Sequence, residues 1–224
     1  MSSQGPKQQL FEQFALIAKT LGHAHRLALV EHLAQGAQSV EVLAQKAGLS
    51  VANTSQHLQQ LRRAGLAATQ RDGKFIYYRQ ADPAVLDLLA ALRLIGERNL
   101  SEVQVVLNGY FHDRDAMEAI SRTELLKRSR AGMVTILDVR PHDEFALAHV
   151  AGAVNIPMSD LEKRIAELDP SIEIVAYCRG PYCVFSFEAV SLLRARGFRI
   201  RRLEDGLPEW QAAGLPVEVL CQLR

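Results

Sequence analysis

Apolar residues recur every three or four positions between residues 8 and 35, at Leu10, Phe14, Ile17, Leu21, Leu27, Val30 and Leu33. That period predicts helices, with a break near Gly22. Ser39 is a candidate N-cap for a short helix that Gly48 ends. Ser50 caps the next helix, residues 51–64, and Gly65 closes it. Two short helices joined by a tight glycine-containing turn make a helix-turn-helix. The period then drops toward two. Residues 66–71 and 75–79 read as strands, and Asp72-Gly73 between them is a hairpin signal with Arg71 and Lys74 beside it. A long apolar helix is expected over residues 83–107.

The stretch Asn108-Gly109-Tyr110-Phe111-His112-Asp113 interrupts this pattern and marks a boundary. It divides the chain into a first domain over 1–108, a linker over 109–114 and a second domain over 115–224. In the second domain, Ser121 followed by Glu124 three positions on has the form of a capping box. Strand-like runs at 135–139, 153–156, 173–177 and 199–203 alternate with helical runs at 159–168 and 186–196. This predicts a parallel sheet with helices on both faces, whose ligands bind at the carboxyl ends of the strands. The first half is mainly α, the second α/β.

Composition narrows the class. At 224 residues, 48% hydrophobic and 23% charged, the chain has room for two domains of ordinary globular character. No apolar run approaches the roughly 20 residues of a membrane helix. The polar start Met1-Ser2-Ser3-Gln4 lacks a signal-peptide core, so a cytoplasmic protein without membrane partners is expected. The net charge of +1 hides an asymmetry: nine Lys/Arg face four Asp/Glu over residues 1–80, and seventeen face twenty-one in the remainder. A basic first domain suits a phosphate backbone, although charge alone fits a solvated face equally well. On the second helix of the pair, Val51, Thr54 or Ser55, Leu58 and Leu61 share the inner side. Asn53, Gln56, Gln60 and Arg63 point the other way, and such amides and arginines read base edges in the major groove. His57 lies on the boundary, where packing, phosphate contact and base readout all fit.

This half resembles the ArsR family of winged-helix repressors. The matching segments are Leu21-Gly22-His23-Ala24-His25-Arg26-Leu27, Gly48-Leu49-Ser50, Ser55-Gln56-His57-Leu58, Leu61-Arg62-Arg63-Ala64-Gly65-Leu66, Arg71-Asp72-Gly73-Lys74 and Tyr77-Tyr78-Arg79. The resemblance implies a homodimer built from the first and last helices, bound to an inverted-repeat operator in double-stranded DNA. Its candidate contacts are Ser50, Asn53, Gln56, His57, Gln60, Arg63, Arg71 and Lys74. Many family members sense metals through a cysteine pair on the helix before the recognition helix. Here that segment, Ser39-Val40-Glu41-Val42-Leu43-Ala44, holds no thiol. The terminal helix carries Asp87, Glu97 and Glu102 but no histidine, and His23 and His25 read as helix-start packing. No metal or cofactor is expected.

All three cysteines lie in the second half. Their unlike spacings make no disulfide framework, which favours a metal, redox or catalytic role. Cys178 ends the β-like run Ile174-Val175-Ala176-Tyr177, a loop with Gly180 and Pro181 follows, and then Cys183 and a helix. A thiol there would sit in a bowl of backbone N–H groups that stabilises a thiolate or an anion. Alone, Cys178 reads as well as an inert buried cysteine.

The surrounding motifs resemble a single rhodanese domain, the sulfurtransferase fold. They are Leu137-Asp138-Val139-Arg140 with Glu144-Phe145, His149-Val150-Ala151-Gly152-Ala153-Val154-Asn155-Ile156-Pro157, Tyr177-Cys178, and Leu203-Glu204-Asp205-Gly206-Leu207-Pro208-Glu209-Trp210. Asp205 stands where the family usually has a first glycine. The resemblance implies that Cys178 takes a sulfane sulfur as a persulfide and passes it to a thiol. The site would comprise Cys178, Arg179, Cys183, Asp138 and Arg140. Arg179 would attract anionic donors such as thiosulfate. Asp138, Arg140, Glu144 and His149 would form the frame of the loops. Cys183 is either a second thiol that attacks the Cys178 persulfide to give a sulfur-bridged pair, or a small buried residue at a helix start. Cys221 reads as a free tail thiol.

Three functions follow. The leading one is a transcriptional regulator, a repressor, whose rhodanese domain senses or carries reactive sulfur at Cys178. The alternative is a thiosulfate or polysulfide sulfurtransferase with an autoregulatory DNA-binding domain. The third, an arsenate reductase or phosphatase, ranks last, because those enzymes want a longer phosphate loop ending in arginine.

Overall fold

The computed structural model describes residues 5–112 and 119–220, with His112 by its backbone alone. The expectations placed on Met1–Gln4, Asp113 and Cys221 lie outside the described residues. The chain divides into two compact units, one up to Val85 and one from Leu86.

The first unit opens with α1 (Pro6–Leu21) and α2 (Ala24–Leu33), which the Gly22 break separates as the periodicity predicts. A two-residue strand β1 (Gln38–Ser39) precedes α3 (Val40–Ala47), and α4 (Val51–Arg63) follows. The expected caps are in place. Ser39 Oγ accepts from the Val42 N–H at 3.4 Å, and Ser50 Oγ accepts from the Asn53 N–H at 3.3 Å. Gly48 ends α3 in the left-handed region at φ 65°, which costs glycine nothing. Strands β2 (Ala67–Asp72) and β3 (Phe75–Gln80) form the wing, and β1 pairs with β3 to give an antiparallel sheet of order β1-β3-β2.

Two expectations here are corrected. Asp72 is paired with Phe75, so the hairpin loop is Gly73-Lys74 rather than Asp72-Gly73. Strand β1 went unseen because two residues carry no periodicity. The helix expected over residues 83–107 is also broken. It runs as α5 (Ala84–Asn99) and α6 (Ser101–Val106), with Leu100 extended between them at φ −112°, ψ 112°. The Leu100 N–H still bonds the Gly96 carbonyl at 3.0 Å, and Asn99 Nδ2 donates to the Ile95 carbonyl at 2.9 Å beside the break. A π-helical turn, Leu107–His112, occupies the stretch expected to interrupt the helix.

The second unit is built on four parallel strands in the order β6-β4-β7-β8: β4 (Val134–Asp138), β6 (Val154–Asn155), β7 (Glu173–Tyr177) and β8 (Ile200–Arg202). A separate antiparallel pair joins β5 (His149–Val150) to β9 (Val217–Glu218). The helices are α7 (Arg122–Arg130), α8 (His142–Leu147), α9 (Leu161–Arg164), α10 (Val184–Ala195) and α11 (Leu207–Ala212). Alternate residues of the strands enter different cores. Leu137, Ile174 and Ala176 pack with Leu161, Ala189, Val190 and Leu193. Ile136, Val175 and Tyr177 pack with Leu125, Leu207 and Trp210. This alternation puts helices on both faces of the sheet and the strand ends in one layer.

Leu58 and Leu61 anchor α4 and are fully buried. Leu61→Ala is expected to cost about 2–5 kcal/mol of the first unit's stability. Urea unfolding followed by circular dichroism would check this, and a change below 1 kcal/mol (roughly the scatter of volume-conserving swaps) would contradict it.

Candidate functional sites

The recognition surface is assembled on α4. Thr54, Leu58 and Leu61 form its buried side. Val51, expected to face inward, is 48% exposed, because the first turn projects beyond the core. Asn53, Gln56, Gln60 and Arg63 are exposed, as are Arg71 and Lys74 on the wing. Ser50 holds the start of the helix through its side-chain cap. Arg71 Nε donates to the Gly73 carbonyl at 3.0 Å, and the Lys74 ammonium lies 5.4 Å from the Phe75 ring centroid, so both cations are held at the tip.

Two features of this surface escaped the sequence. Arg26 Nη1 donates to Gln60 Oε1 at 2.6 Å, and the same guanidinium bonds the carbonyls of Thr20 and Lys19, orienting Gln60 from α2. His57 is half-buried and packs against His23 and His25, with ring centroids 4.7 Å and 5.9 Å away. Its Nδ1 is shielded and has no partner. Burial, then the neighbouring His23, Arg26 and His25, holds its pKa below the usual histidine value. Among the described residues no group of three or more His, Cys, Asp or Glu side chains is arranged to hold a metal ion.

The cysteine site lies at the carboxyl end of β7. Cys178 is buried and joined to Cys183 by a disulfide, with Cα atoms 6.0 Å apart. The residue before it is fixed by one buried carboxylate and the residue after it by another. Tyr177 Oη donates to Asp138 Oδ2 at 2.5 Å and accepts the Val150 N–H at 3.0 Å. Burial, followed by the Asp138 charge, pushes the Tyr177 phenol well above its ordinary value, so it remains a donor. Asp138 is also gripped by Arg140, whose Nη2 lies 2.5 Å from Oδ2 and 2.8 Å from the Ala148 carbonyl. Burial works against the Arg140 charge, but Asp138, Tyr177 and Glu144 together outweigh it and the guanidinium stays protonated.

On the other side, Arg179 donates to both oxygens of buried Glu144, Nε to Oε2 at 2.8 Å and Nη2 to Oε1 at 2.8 Å. Its guanidinium also lies 5.3 Å from the Phe185 ring centroid. The fork expected to face an anionic donor is therefore spent on Glu144, which could not be buried as a carboxylate without it.

Cys183 is the N-cap of α10, and its N–H bonds the Gly180 carbonyl at 3.1 Å. The helix N-terminus thus lies at Cys183, the second cysteine of the loop. The Cys178 carbonyl accepts from the Leu207 N–H at 3.2 Å. Gly206 packs so closely on the backbone of Arg179 and Gly180 that a Cβ there would collide with it. The preceding Asp205 pairs with Arg122 Nε at 2.8 Å, so the position where a glycine was expected carries an ion pair. His149 closes the frame, its Nδ1 2.8 Å from the Phe145 carbonyl. Val139, Met158 and Phe185 belong to the core around the cysteines and also line a cavity of about 580 Å³ with Pro141, His142 and Glu188.

Two domain families match the chain: a helix-turn-helix domain over residues 21–70 and a rhodanese-like domain over 121–213. The HTH-type transcriptional regulator Rv0324 of Mycobacterium tuberculosis is 41% identical over 95% of this chain and 93% of its own. Among solved structures, the homodimeric winged helix-turn-helix domain Mb0332 of Mycobacterium bovis is 33% identical, covering 46% of this chain and 95% of that one, with a TM-score of 0.41. A rhodanese-related protein of Thermoplasma volcanium is 28% identical over 47% of this chain and 100% of its own, with a TM-score of 0.42.

Asp138→Ala leaves the Arg140 charge buried without its partner and is expected to cost about 3–5 kcal/mol of the second unit's stability. Denaturant unfolding checks this, and a loss within 1 kcal/mol would show the pair to be dispensable. For His57 the sign follows from its lowered pKa. The unfolded chain binds the proton more readily, so this contribution to stability is present above about 6.5 and is lost as pH falls from there through the lower folded-state pKa. His57→Gln should therefore unfold with a weaker dependence on pH below that value, and parallel curves would contradict the assignment.

Proposed function

Since the chain belongs to the HTH-type transcriptional regulators and joins an ArsR-type helix-turn-helix to a rhodanese-like domain, we propose that it is a repressor that senses reactive sulfur as a Cys178 persulfide. The observation that carries this reading is the direct juxtaposition of Cys178 and Cys183, clamped between two buried carboxylate pairs. The first half supplies no cysteine as a competing sensor.

The chemistry balances without an added oxidant. The Cys178 thiolate attacks the sulfane sulfur of an organic persulfide or polysulfide. A new S–S bond forms, the donor's S–S bond breaks, and the donor leaves as a thiolate with the electron pair. Cys183, as thiolate, then attacks Cys178 Sγ and expels hydrosulfide, leaving the Cys178–Cys183 disulfide. A thiol reductant restores both thiols. Asp138, Arg140, Glu144 and Arg179 act as positioning residues that hold the loop.

On the DNA side, Asn53, Gln56, Gln60 and Arg63 would enter the major groove, with Arg71 and Lys74 on phosphates and Ser50 and His57 supporting the helix. A homodimer is supported by the apolar side chains left exposed on α1 (Leu10, Phe11, Phe14) and on α5 (Leu88, Leu92, Ile95). An inverted-repeat operator would match its two-fold axis. The second reading, a sulfurtransferase, is favoured by the rhodanese-like match and predicts catalytic turnover with a thiol acceptor in place of one round of chemistry.

Treatment of reduced protein with inorganic polysulfide is expected to change operator affinity about 5–150-fold, the usual range of coupling between sites. Cys178→Ser should show no change, and Cys183→Ser should retain the persulfide without releasing hydrosulfide. Gel shift and intact mass on the same samples check all three. Equal operator affinity with Cys178 shown to be modified would sink the sensor reading, and sustained turnover of thiosulfate would favour the enzyme.

A further inference from the structure

Between the two cysteines of the loop lies Tyr182, and it does not point back into the sulfur site. Its hydroxyl donates to the carboxylate of Glu97 on α5, and its ring centroid lies 5.8 Å from that of Phe111 in the π-helical turn. Phe111 in turn packs edge-on against Phe187 of α10 at 4.7 Å. A second tie joins the same helix to the same loop. Arg93 on α5 pairs with Glu209 at 3.3 Å, and Glu209 accepts from the N–H of Gly206, the glycine pressed against Arg179 and Gly180. Helix α5 is therefore fastened at Glu97 and Arg93 to two parts of the cysteine site. It is also one continuous helix that starts at Ala84, where the Asp82 carboxylate accepts the Ala84 N–H at 2.8 Å, and Val85 is buried.

We propose that Tyr182 is a positioning residue that couples the state of the Cys178–Cys183 pair to α5, through its hydroxyl on Glu97 and its ring on Phe111. This rests on the reading that the pair changes state during sulfur chemistry. Tyr182 is the immediate neighbour of Cys183. When the bridge is closed, the Cα atoms of residues 178 and 183 are fixed 6.0 Å apart and the backbone of Tyr182 is constrained with them. With the bridge open, the covalent tie is gone and the segment rests on non-covalent contacts, the Cys183 N–H bond to Gly180, the start of α10 and the contacts of Tyr182 itself, so the donor to Glu97 is held less firmly. A charge-assisted O–H to carboxylate bond is short and directional, so it responds to such a shift more than an apolar contact does. By reciprocity, whatever alters α5 alters the preference of the loop for the bridged state to the same extent.

The test needs no sulfur donor, which separates it from the sensor reading. The full-length protein is prepared reduced with dithiothreitol and bridged with diamide, and the bridge is verified by mass. Amide hydrogen exchange of residues 88–99 is then compared between the two states. In the wild type the exchange of α5 should differ between them. In Tyr182→Phe and Glu97→Gln the difference should shrink at least fivefold, while the bridge still forms and the unfolding midpoint stays close to wild type. Fluorescence anisotropy with a duplex selected by the reduced protein from random-sequence DNA gives a second readout. There the bridged-to-reduced affinity ratio of the wild type should collapse toward unity in both variants. Identical exchange in the two wild-type states, or a difference that both variants retain in full, would overturn the proposal. Failure of polysulfide to modify Cys178, with the α5 response intact, would instead remove the persulfide reading and leave a redox-coupled helix.

Discussion

The second unit depends on a pairing rule applied twice around one atom. Cys178 is buried, and each of its chain neighbours is tied to a buried carboxylate from the segment 138–144: Tyr177 to Asp138, and Arg179 to Glu144. A carboxylate buried without a cation or donors costs several kcal/mol, so neither Asp138 nor Glu144 can release its partner cheaply. Asp138 sits at the end of β4, beside β7, and Glu144 in α8, so these two elements fix Tyr177 and Arg179 on either side of the cysteine. Gly206 supplies the steric limit from the opposite side, against Arg179 and Gly180. Between Gly180 and Cys183 the loop is held by the Cys183 N–H bond to the Gly180 carbonyl, by the disulfide and by the contacts of Tyr182.

That division between a fixed base and an adjustable tip is what a reporter of sulfur chemistry requires. A ligand shifts an equilibrium only by its differential interaction with the two states. A persulfide that merely occupied a rigid bowl would have nothing to report. In the proposed scheme the chemistry would end in the Cys178–Cys183 bridge, and Tyr182, between the two cysteines, rests on α5.

Much of the local structure was legible because it is encoded locally. The caps Ser39, Ser50 and Ser121, the glycine stop at Gly48, and strands β4 and β7 follow from hydrogen-bonding side chains, φ preference and runs of buried apolar residues. The misses share a different origin. The hairpin loop moved to Gly73-Lys74 because ladder register overrides a dipeptide preference, and α5 ends before Leu100, whose extended backbone no apolar period reveals. Helix α8 reads His-Asp-Glu-Phe-Ala-Leu, too short and polar to show a period. Strands β5 and β9 are two residues each and lie far apart in sequence. In the candidate site, the cysteine loop and its frame were visible as motifs. The partner of Arg179 was not, because Glu144 stands 35 positions away and no spacing rule connects them. Contacts of Tyr182 with Glu97 and of His57 with His23 were hidden for the same reason.

In the proposed scheme the sulfur state of Cys178 sets the affinity of the DNA-binding unit. The most direct measurement is an operator titration by fluorescence anisotropy on a single preparation, taken in turn through reduced, polysulfide-treated and re-reduced states. The mass of the Cys178–Cys183 peptide is read at each step. Affinity should shift when the peptide gains sulfur or closes its bridge, and return when dithiothreitol restores both thiols. Affinity that stays constant while the peptide passes through all three states would contradict it.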